Sequence, residues 1–382
     1  MIVGVDGNEA NIVTRVGVNT YAYELLKNIY KLQVEDKSDI SLIVYLKEAP
    51  LSDMPEETAN FKYKVIPGAS LWVIRKLMPR LIYNTDSIDI FFSPSHYLPL
   101  LASMPMVCSI MDLGYLENTA QFTKKVFWQL KWWTAMSIFV SKRVISISKS
   151  TSNDIVRHYP WSNGKVQVVY LAYDAKQFNN EPIALDVRRV LKRYSIVHDY
   201  VLYLGTLKPS KNIEGLIEAF SRLPTDYSQF KLVIAGKKGW MYESIFEKVK
   251  ELGLNEKVIF TDFVPETDKP GLIKGAKVFV LPSFWEGFGL DVLNAMAAGT
   301  PVVVSNAGSL PEVAGIAGVT VDPNNIDSIA QGISKVLSLS KSDYNSMVER
   351  GLAQAKKFSW EKTARETLEI FKSCLKTKQV KN

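Results

Sequence analysis

The amino-acid sequence predicts an α/β protein built from two Rossmann-like parallel-sheet domains that face each other. Three observations predict it. Short apolar runs alternate with segments of helical spacing along most of the chain, as they do where helices cover both faces of a parallel sheet. The alternation lapses over residues 178–187, which are polar and contain a proline, and then restarts. The whole strand–helix pattern is thereby repeated twice, and 382 residues suffice for each half to bury its own core.

In the first half, residues 2–5 read as a strand and residues 18–32 (VNTYAYELLKNIYKL) carry helical spacing. Apolar runs predict strands at 40–46, 88–92, 106–110, 143–147 and 165–170. In the second half, strands are expected at 200–205, 231–235, 257–260, 278–281 and 318–321, with a further strand opening at Pro301. Helices are expected between them at 212–223, 242–252, 270–275, 290–298 and 327–337, and two more, at 348–358 and 360–375, close the chain. The expected domains are residues 1–180 and 181–358, followed by a terminal helical segment, 359–382.

The formal net charge is +7. Such a balance allows anionic substrates, an anionic membrane surface or nucleic acid, but no nucleic-acid recognition motif accompanies it. The two cysteines, Cys108 and Cys374, lack metal-type spacing and read as buried thiols of a reducing compartment. Met1 leads directly into a strand, and no run of about 18 apolar residues exists. The expectation is a cytoplasmic protein with no spanning helix.

Residues 278–304, VFVLPSFWEGFGLDVLNAMAAGTPVVV, carry most of the functional signal. They read as buried strand, glycine-bearing turn, short helix and second buried strand. The turn therefore lies at the carboxyl end of a parallel strand and the amino end of a helix, where backbone N–H groups and the helix dipole favour an anion. Gly287 and Gly289 allow close approach to the main chain, and Glu286 sets a carboxylate beside the anion site. An anion site next to a carboxylate suits a phosphorylated, polyhydroxylated ligand such as a nucleotide-sugar. A second turn, Gly205-Thr206-Leu207-Lys208-Pro209-Ser210-Lys211-Asn212, follows the first strand of the same half. Its lysines offer positive charge, and Asn212 is placed to cap the next helix.

The frame EGFGLDVLNAMAAGTPV resembles the retaining glycosyltransferases of family 4, of the glycosyl transferases group 1 type, which have the two-domain GT-B fold. The resemblance runs over nearly the whole chain and includes GTLKPSKN, NAGSLPEV at 306–313 and FSWEKTARETL at 358–368. It implies that the last helix crosses back to the first domain. It implies that Lys211 contacts the donor diphosphate, assisted by Thr206, Lys208 and the amides of Gly287, Phe288, Gly289 and Leu290. Glu286 would bind donor-sugar hydroxyls, Asn294 the ribose, and Phe263 and Val264 the base through backbone groups. Glu286, Lys211 and Asp112 are the expected catalytic residues, and Gly17, in the turn Arg15-Val16-Gly17-Val18-Asn19, allows approach to phosphate or donor sugar. Three positions depart from the family frame: Met111 stands for its histidine, Ser210 for an arginine and Asn294 for its second glutamate, while Asp291 replaces a proline. His96 is a candidate neighbour of the Met111 site.

The implied activity is transfer of a hexose, mannose first, from a nucleotide-diphosphate sugar to a glycan or lipid-linked acceptor in cell-surface polysaccharide synthesis. GDP-mannose is the first expected donor and a UDP-sugar the second; no cofactor or metal is expected. The alternative is a catalytically weak or inactive relative acting as a binding or scaffold partner. A dinucleotide-dependent oxidoreductase is disfavoured because VDGNEAN, not G-x-G-x-x-G, follows the first strand. Finally, residues 122–157 hold seven basic residues against one acidic. The stretch from Phe122 to Phe139 interleaves lysine with Trp128, Trp132 and Trp133, a composition suited to peripheral contact with an anionic membrane surface. Residues 71–83 (LWVIRKLMPRLIY) have the same character.

Overall fold

The computed structural model describes residues 1–35, 39–117, 123–178 and 184–376. The chain divides into two compact units, Met1–Leu171 together with the segment that begins at Trp360, and Ala172–Ser359. The expected boundary at residue 180 lies outside the described residues, as does Phe122.

The first unit is a seven-stranded sheet: β1 (Ile2–Asp6), β2 (Ser41–Leu46), β3 (Phe61–Val65), β4 (Ile90–Ser93), β5 (Met106–Ile110), β6 (Arg143–Ser146) and β7 (Val166–Val168). The order is β3-β2-β1-β4-β5-β6-β7, and every pairing is parallel. Its helices are α1 (Val18–Glu35), α2 (Met78–Tyr83), α3 (Gly114–Glu117), α4 (Lys124–Val140) and α5 (Lys149–His158). Strand β3 was not expected. Its sequence, FKYKV, alternates aromatic with lysine instead of running apolar, as befits an edge strand whose lysines discourage further pairing.

The second unit begins with α6 (Ala184–Arg193) and continues β8 (Tyr200–Leu204), α7 (Ile213–Ser221), β9 (Lys231–Ala235), α8 (Glu243–Glu251), β10 (Val258–Asp262) and α9 (Lys269–Gly275). Then follow β11 (Val278–Leu281), α10 (Leu290–Ala297), β12 (Val302–Ser305), α11 (Leu310–Ala314), β13 (Val319–Val321), α12 (Ile326–Leu337) and α13 (Lys341–Ala355). The six strands lie in the order β10-β9-β8-β11-β12-β13, all parallel. The last helix, α14 (Trp360–Lys376), belongs to the first unit and packs on α1.

Two expectations need correction. Part of the segment read as a polar linker, residues 184–187, is the start of α6. That helix is held by Arg189 and Arg193, which pair with the fully buried Asp268, and by the buried Val190. Helix α13 begins at Lys341, well before residue 348, because Ser340 caps it by accepting from the amide of Asp343 at 3.1 Å.

Strand β8 has β9 on one side and β11 on the other, and the chain winds outward in both directions from it. Carboxyl ends of strands at such a reversal form the crevice where doubly wound sheets hold ligands. Here the reversal puts the loop after β8 beside the loop after β11.

Candidate active site

Both loops at this crevice are tied down before any ligand is considered. After β8, the amide of Gly205 bonds Ala235 O at 2.9 Å and that of Leu207 bonds Lys237 O at 3.0 Å. A Cβ on Gly236 would meet Gly205 O at 1.9 Å, so this close approach excludes any side chain. Lys208 Nζ lies 5.0 Å above the ring of Trp240, and Thr206 O accepts from Tyr203 Oη at 3.3 Å. Pro209–Lys211 form one 3-10 turn. The expected cap at Asn212 is corrected: its backbone is left-handed (φ 54) and its side chain makes no cap bond. Instead Asn212 Nδ2 donates to Pro282 O (3.2 Å) and Pro323 O (2.7 Å), stitching the two loops together.

The turn brings Lys211 to Glu286. Glu286 Oε1 accepts from Lys211 Nζ and, at 2.8 Å, from Ser283 Oγ. The side chains are 16% and 12% exposed, so the pair is largely desolvated yet reachable. The backbone of Glu286 is clamped from behind. Its carbonyl accepts from the amide and the hydroxyl of Ser309, both at 3.1 Å. Gly308 has φ +59, and a Cβ there would lie 2.4 Å from Glu286 O.

Helix α10 starts at Gly289 (φ 90) with no side-chain cap, so its first turn presents backbone N–H groups at its amino end. Phe288 contributes main chain only, since its ring is buried edge-on against Phe358. Asn294 Nδ2 points to Asp291 Oδ1 at 3.4 Å, one turn earlier. Burial pushes the Asp291 carboxyl up from its ordinary range, opposed by Lys269 and Lys211. Beside β10, Asp262 has φ 54 at a break in register; Phe263 is half exposed and Val264 is buried. Thus Thr206, Lys208, Lys211, Glu286, Gly287, Phe288, Gly289, Leu290 and Asn294 are gathered at the carboxyl ends of β8 and β11. Phe263 and Val264 follow the edge strand β10.

Gly17 and Asp112 belong to the first unit. Gly17 has φ +55 with open space around it, so conformation alone calls for glycine there. Its neighbour Arg15 is occupied: its guanidinium pairs with Asp53 and covers the Tyr23 ring at 3.8 Å. Asn19 Nδ2 donates to Glu9 Oε2 at 2.7 Å. Asp112 Oδ1 accepts from the amide of Gly114 at 2.8 Å and so closes the turn that opens α3. Met111 O accepts from Thr151 Oγ1 at 3.3 Å. His96 packs at a tilt against Tyr97, with ring centroids 4.0 Å apart. Among the described residues, no group of three or more His, Cys, Asp or Glu side chains is placed to hold a metal ion.

Comparison with known proteins decides the family. A family model described as glycosyl transferases group 1 matches residues 197–354. O-antigen chain mannosyltransferase B of Escherichia coli is 32% identical over 352 residues, which cover 89% of this chain and 86% of that protein. The chain belongs to the glycosyl transferases of group 1. Serotype-specific mannosyltransferase WbdA of Escherichia coli is 31% identical to this glycosyltransferase over 239 residues, 62% of the chain but only 29% of WbdA. Among solved structures, sucrose-phosphate synthase (tll1590) from Thermosynechococcus elongatus superposes with a TM-score of 0.74 at 17% identity, covering 98% of this chain and 99% of the other. Anabaena Alr3699/HepE, in complex with UDP and glucose, gives 0.71 at 18% identity, covering 97% and 99%. The fold of the glycosyltransferase is GT-B.

Four residues around the site were not legible as participants in the sequence of this glycosyltransferase. Ser283 orients Glu286; its signal is only a small hydroxyl residue just past Pro282, where the strand ends. Gly308 and Ser309 hold the Glu286 backbone from a loop more than twenty residues later. Burial, and after it the charges of Glu286 and Asp291, raise the phenol of Tyr203 well above its ordinary value.

Proposed function

We propose that this glycosyltransferase moves a hexose, mannose in the first instance, from a nucleotide-diphosphate sugar to a glycan or lipid-linked acceptor, with retention of configuration, as a family 4 enzyme of cell-surface polysaccharide synthesis. The observation that carries the reading is the Lys211–Glu286 pair, held at the topological reversal and next to the amino end of α10. An ammonium, backbone amides and a helix dipole converge there on a position suited to a diphosphate. Glu286 neutralises Lys211. An arriving diphosphate takes over the ammonium, and the carboxylate, still held by Ser283, turns to sugar hydroxyls. Asn294 and Asp291 face the ribose, and backbone at Phe263–Val264 receives the base. The leaving phosphate oxygen takes the acceptor's proton, so no protein base is required. The retained pair favours an active enzyme over an inactive scaffold subunit.

The names of the mannosyltransferase relatives support mannose as the transferred sugar; GDP-mannose is the first proposed donor, and UDP-sugars come second, as the UDP-bound structural neighbour suggests. The enzyme works, in this reading, at the inner face of the membrane. Helix α4 supports that placement with exposed tryptophan between lysines, and among the described residues no helix is long and apolar enough to cross a bilayer.

Calorimetry with GDP and UDP tests the donor site. Lys211→Ala should weaken diphosphate binding by about 1.5–3 kcal/mol, the scale of a charge-assisted hydrogen bond. Wild-type protein that binds neither nucleotide at millimolar concentration would refute the assignment. Release of mannose from GDP-mannose, compared with sugar release from UDP-sugars, then ranks the donors.

A further inference from the structure

The first unit carries a concavity at the opposite end of its sheet from the strand ends that hold ligands in such folds. It is an open groove of about 660 Å³ at the amino ends of β5 and β6, within the roughly 300–1,000 Å³ typical of small-molecule sites. One part of its lining is apolar: Leu101, Met104 and Phe139. Another is cationic: Lys142, Arg143 and Lys165. Among the described residues no acidic side chain lines it, and no carboxylate pairs with any of the three cations. Leu101 is 63% exposed and Phe139 65%, a poor arrangement for large apolar side chains unless something covers them.

Two of the three cations are anchored to backbone carbonyls. Lys165 Nζ donates to Phe139 O at 3.0 Å, and Arg143 Nη1 to Gly164 O at 3.2 Å. Arg143 Nε is buried in the groove wall without a hydrogen-bond partner. A buried, unanswered donor on a charged group calls for an acceptor. Phe139 also ends a stripe. Trp128, Trp132 and Phe139 fall within about 40° on α4 at 100° per residue, and Trp128 and Trp132 are 62% and 51% exposed. The stripe therefore leads from the helix surface into the groove.

From this juxtaposition of an apolar wall, three cations free of carboxylates and a tryptophan stripe opening onto them, we infer that the groove binds an anionic phospholipid. The phosphate lies on Lys142, Arg143 and Lys165, and the start of an acyl chain lies along Leu101, Met104 and Phe139. Such a site would fix the depth and heading of α4 on a bilayer, which a nonspecific charge patch cannot do. The inference deepens the membrane placement proposed above, but its site can be probed with no bilayer present.

The experiment is calorimetry with dihexanoyl phosphatidylglycerol below its micelle concentration, against dihexanoyl phosphatidylcholine and inorganic phosphate. Phosphatidylglycerol should bind at least tenfold more tightly than phosphatidylcholine, and phosphate alone should give no measurable heat. Lys142→Gln with Lys165→Gln should erase that preference. Leu101→Asp should abolish phosphatidylglycerol binding. Both variants should bind nucleotide as the wild type does, which shows that they are folded. Equal binding of the two lipids, phosphate binding as strong as lipid binding, or lipid binding that survives both variants would overturn the assignment. Short-chain lipid binding with no vesicle binding would sink the α4 placement and leave the groove standing.

Discussion

Glu286 and Asn294 respond differently to a change of sequence, because only Glu286 is held on every side. Ser283, Lys211 and Ser309 fix it, so its replacement removes the partner of Lys211 and, in the proposed reading, the group that faces the sugar. Among the described residues the Asn294 side chain has one hydrogen-bond partner, Asp291, at the long distance of 3.4 Å. Asp291 lies one turn nearer the amino end of α10, where the helix dipole favours a carboxylate. Asn294→Glu alone should then lower donor affinity and melting temperature, since it places a second carboxylate one turn from Asp291. Asn294→Glu with Asp291→Pro should recover most of both. Calorimetry and thermal melts on the single and double variants decide it; a single variant that matches or exceeds the wild type would show that the positions are independent.

His96 supports a prediction of another kind. Its Nε2 is buried without a partner, and burial pulls its pKa from 6.5 down to about 4. The unfolded chain binds this proton below about pH 6.5, the folded chain only below about 4. Stability is therefore lost as the pH falls between those values. His96→Leu should flatten that part of the profile, read as the shift in urea midpoint between pH 7 and pH 5. The same shift in both proteins would show that the histidine is not the source.

At the scale of elements, α4 differs from an ordinary sheet-packing helix in what it leaves outside. Thr134, Ser137 and Ile138 face inward, while Trp128, Trp132 and Phe139 are exposed among Lys124, Lys125 and Lys131. Trp128→Ala with Trp132→Ala should reduce co-sedimentation with phosphatidylglycerol vesicles at least tenfold, with little effect on nucleotide binding. Wild-type binding should weaken as salt rises. Equal recovery on neutral and anionic vesicles, or none on either, would refute a charge-assisted membrane contact. The composition of this segment was plain in the sequence. Which of its tryptophans faced out was not, because a helix that is apolar nearly all round has no distinct polar face to mark the solvent side.

Helix α14 sets the scale of the whole molecule, because it makes the first unit discontinuous in sequence. Trp360 approaches Tyr21 at 6.5 Å, Phe371 approaches Phe92 at 5.1 Å, and Thr363 Oγ1 donates to Tyr170 O at 2.7 Å. Removing α14 would strip a fully buried Phe371 from the face of β4. Losing a buried aromatic side chain costs about 3–5 kcal/mol, comparable to a domain's net stability. A fragment of residues 172–359 should therefore unfold cooperatively by itself, whereas residues 1–171 without α14 should show no cooperative transition. Circular dichroism of the two fragments tests this; a cooperative melt of the shorter first fragment would refute it. The sequence by itself determined the alternation of strand and helix, the doubling of that pattern and the turns carrying Lys211, Glu286 and Gly289, because apolar runs and glycine-bearing turns are local signals. Only the tertiary structure decided that Lys211 meets Glu286, that Asn212 ties two loops instead of capping a helix, and that Gly308 and Ser309 hold a turn twenty residues away. Those contacts arise where parallel strands far apart in sequence become neighbours, and strand order is a property of the folded sheet that no local pattern encodes.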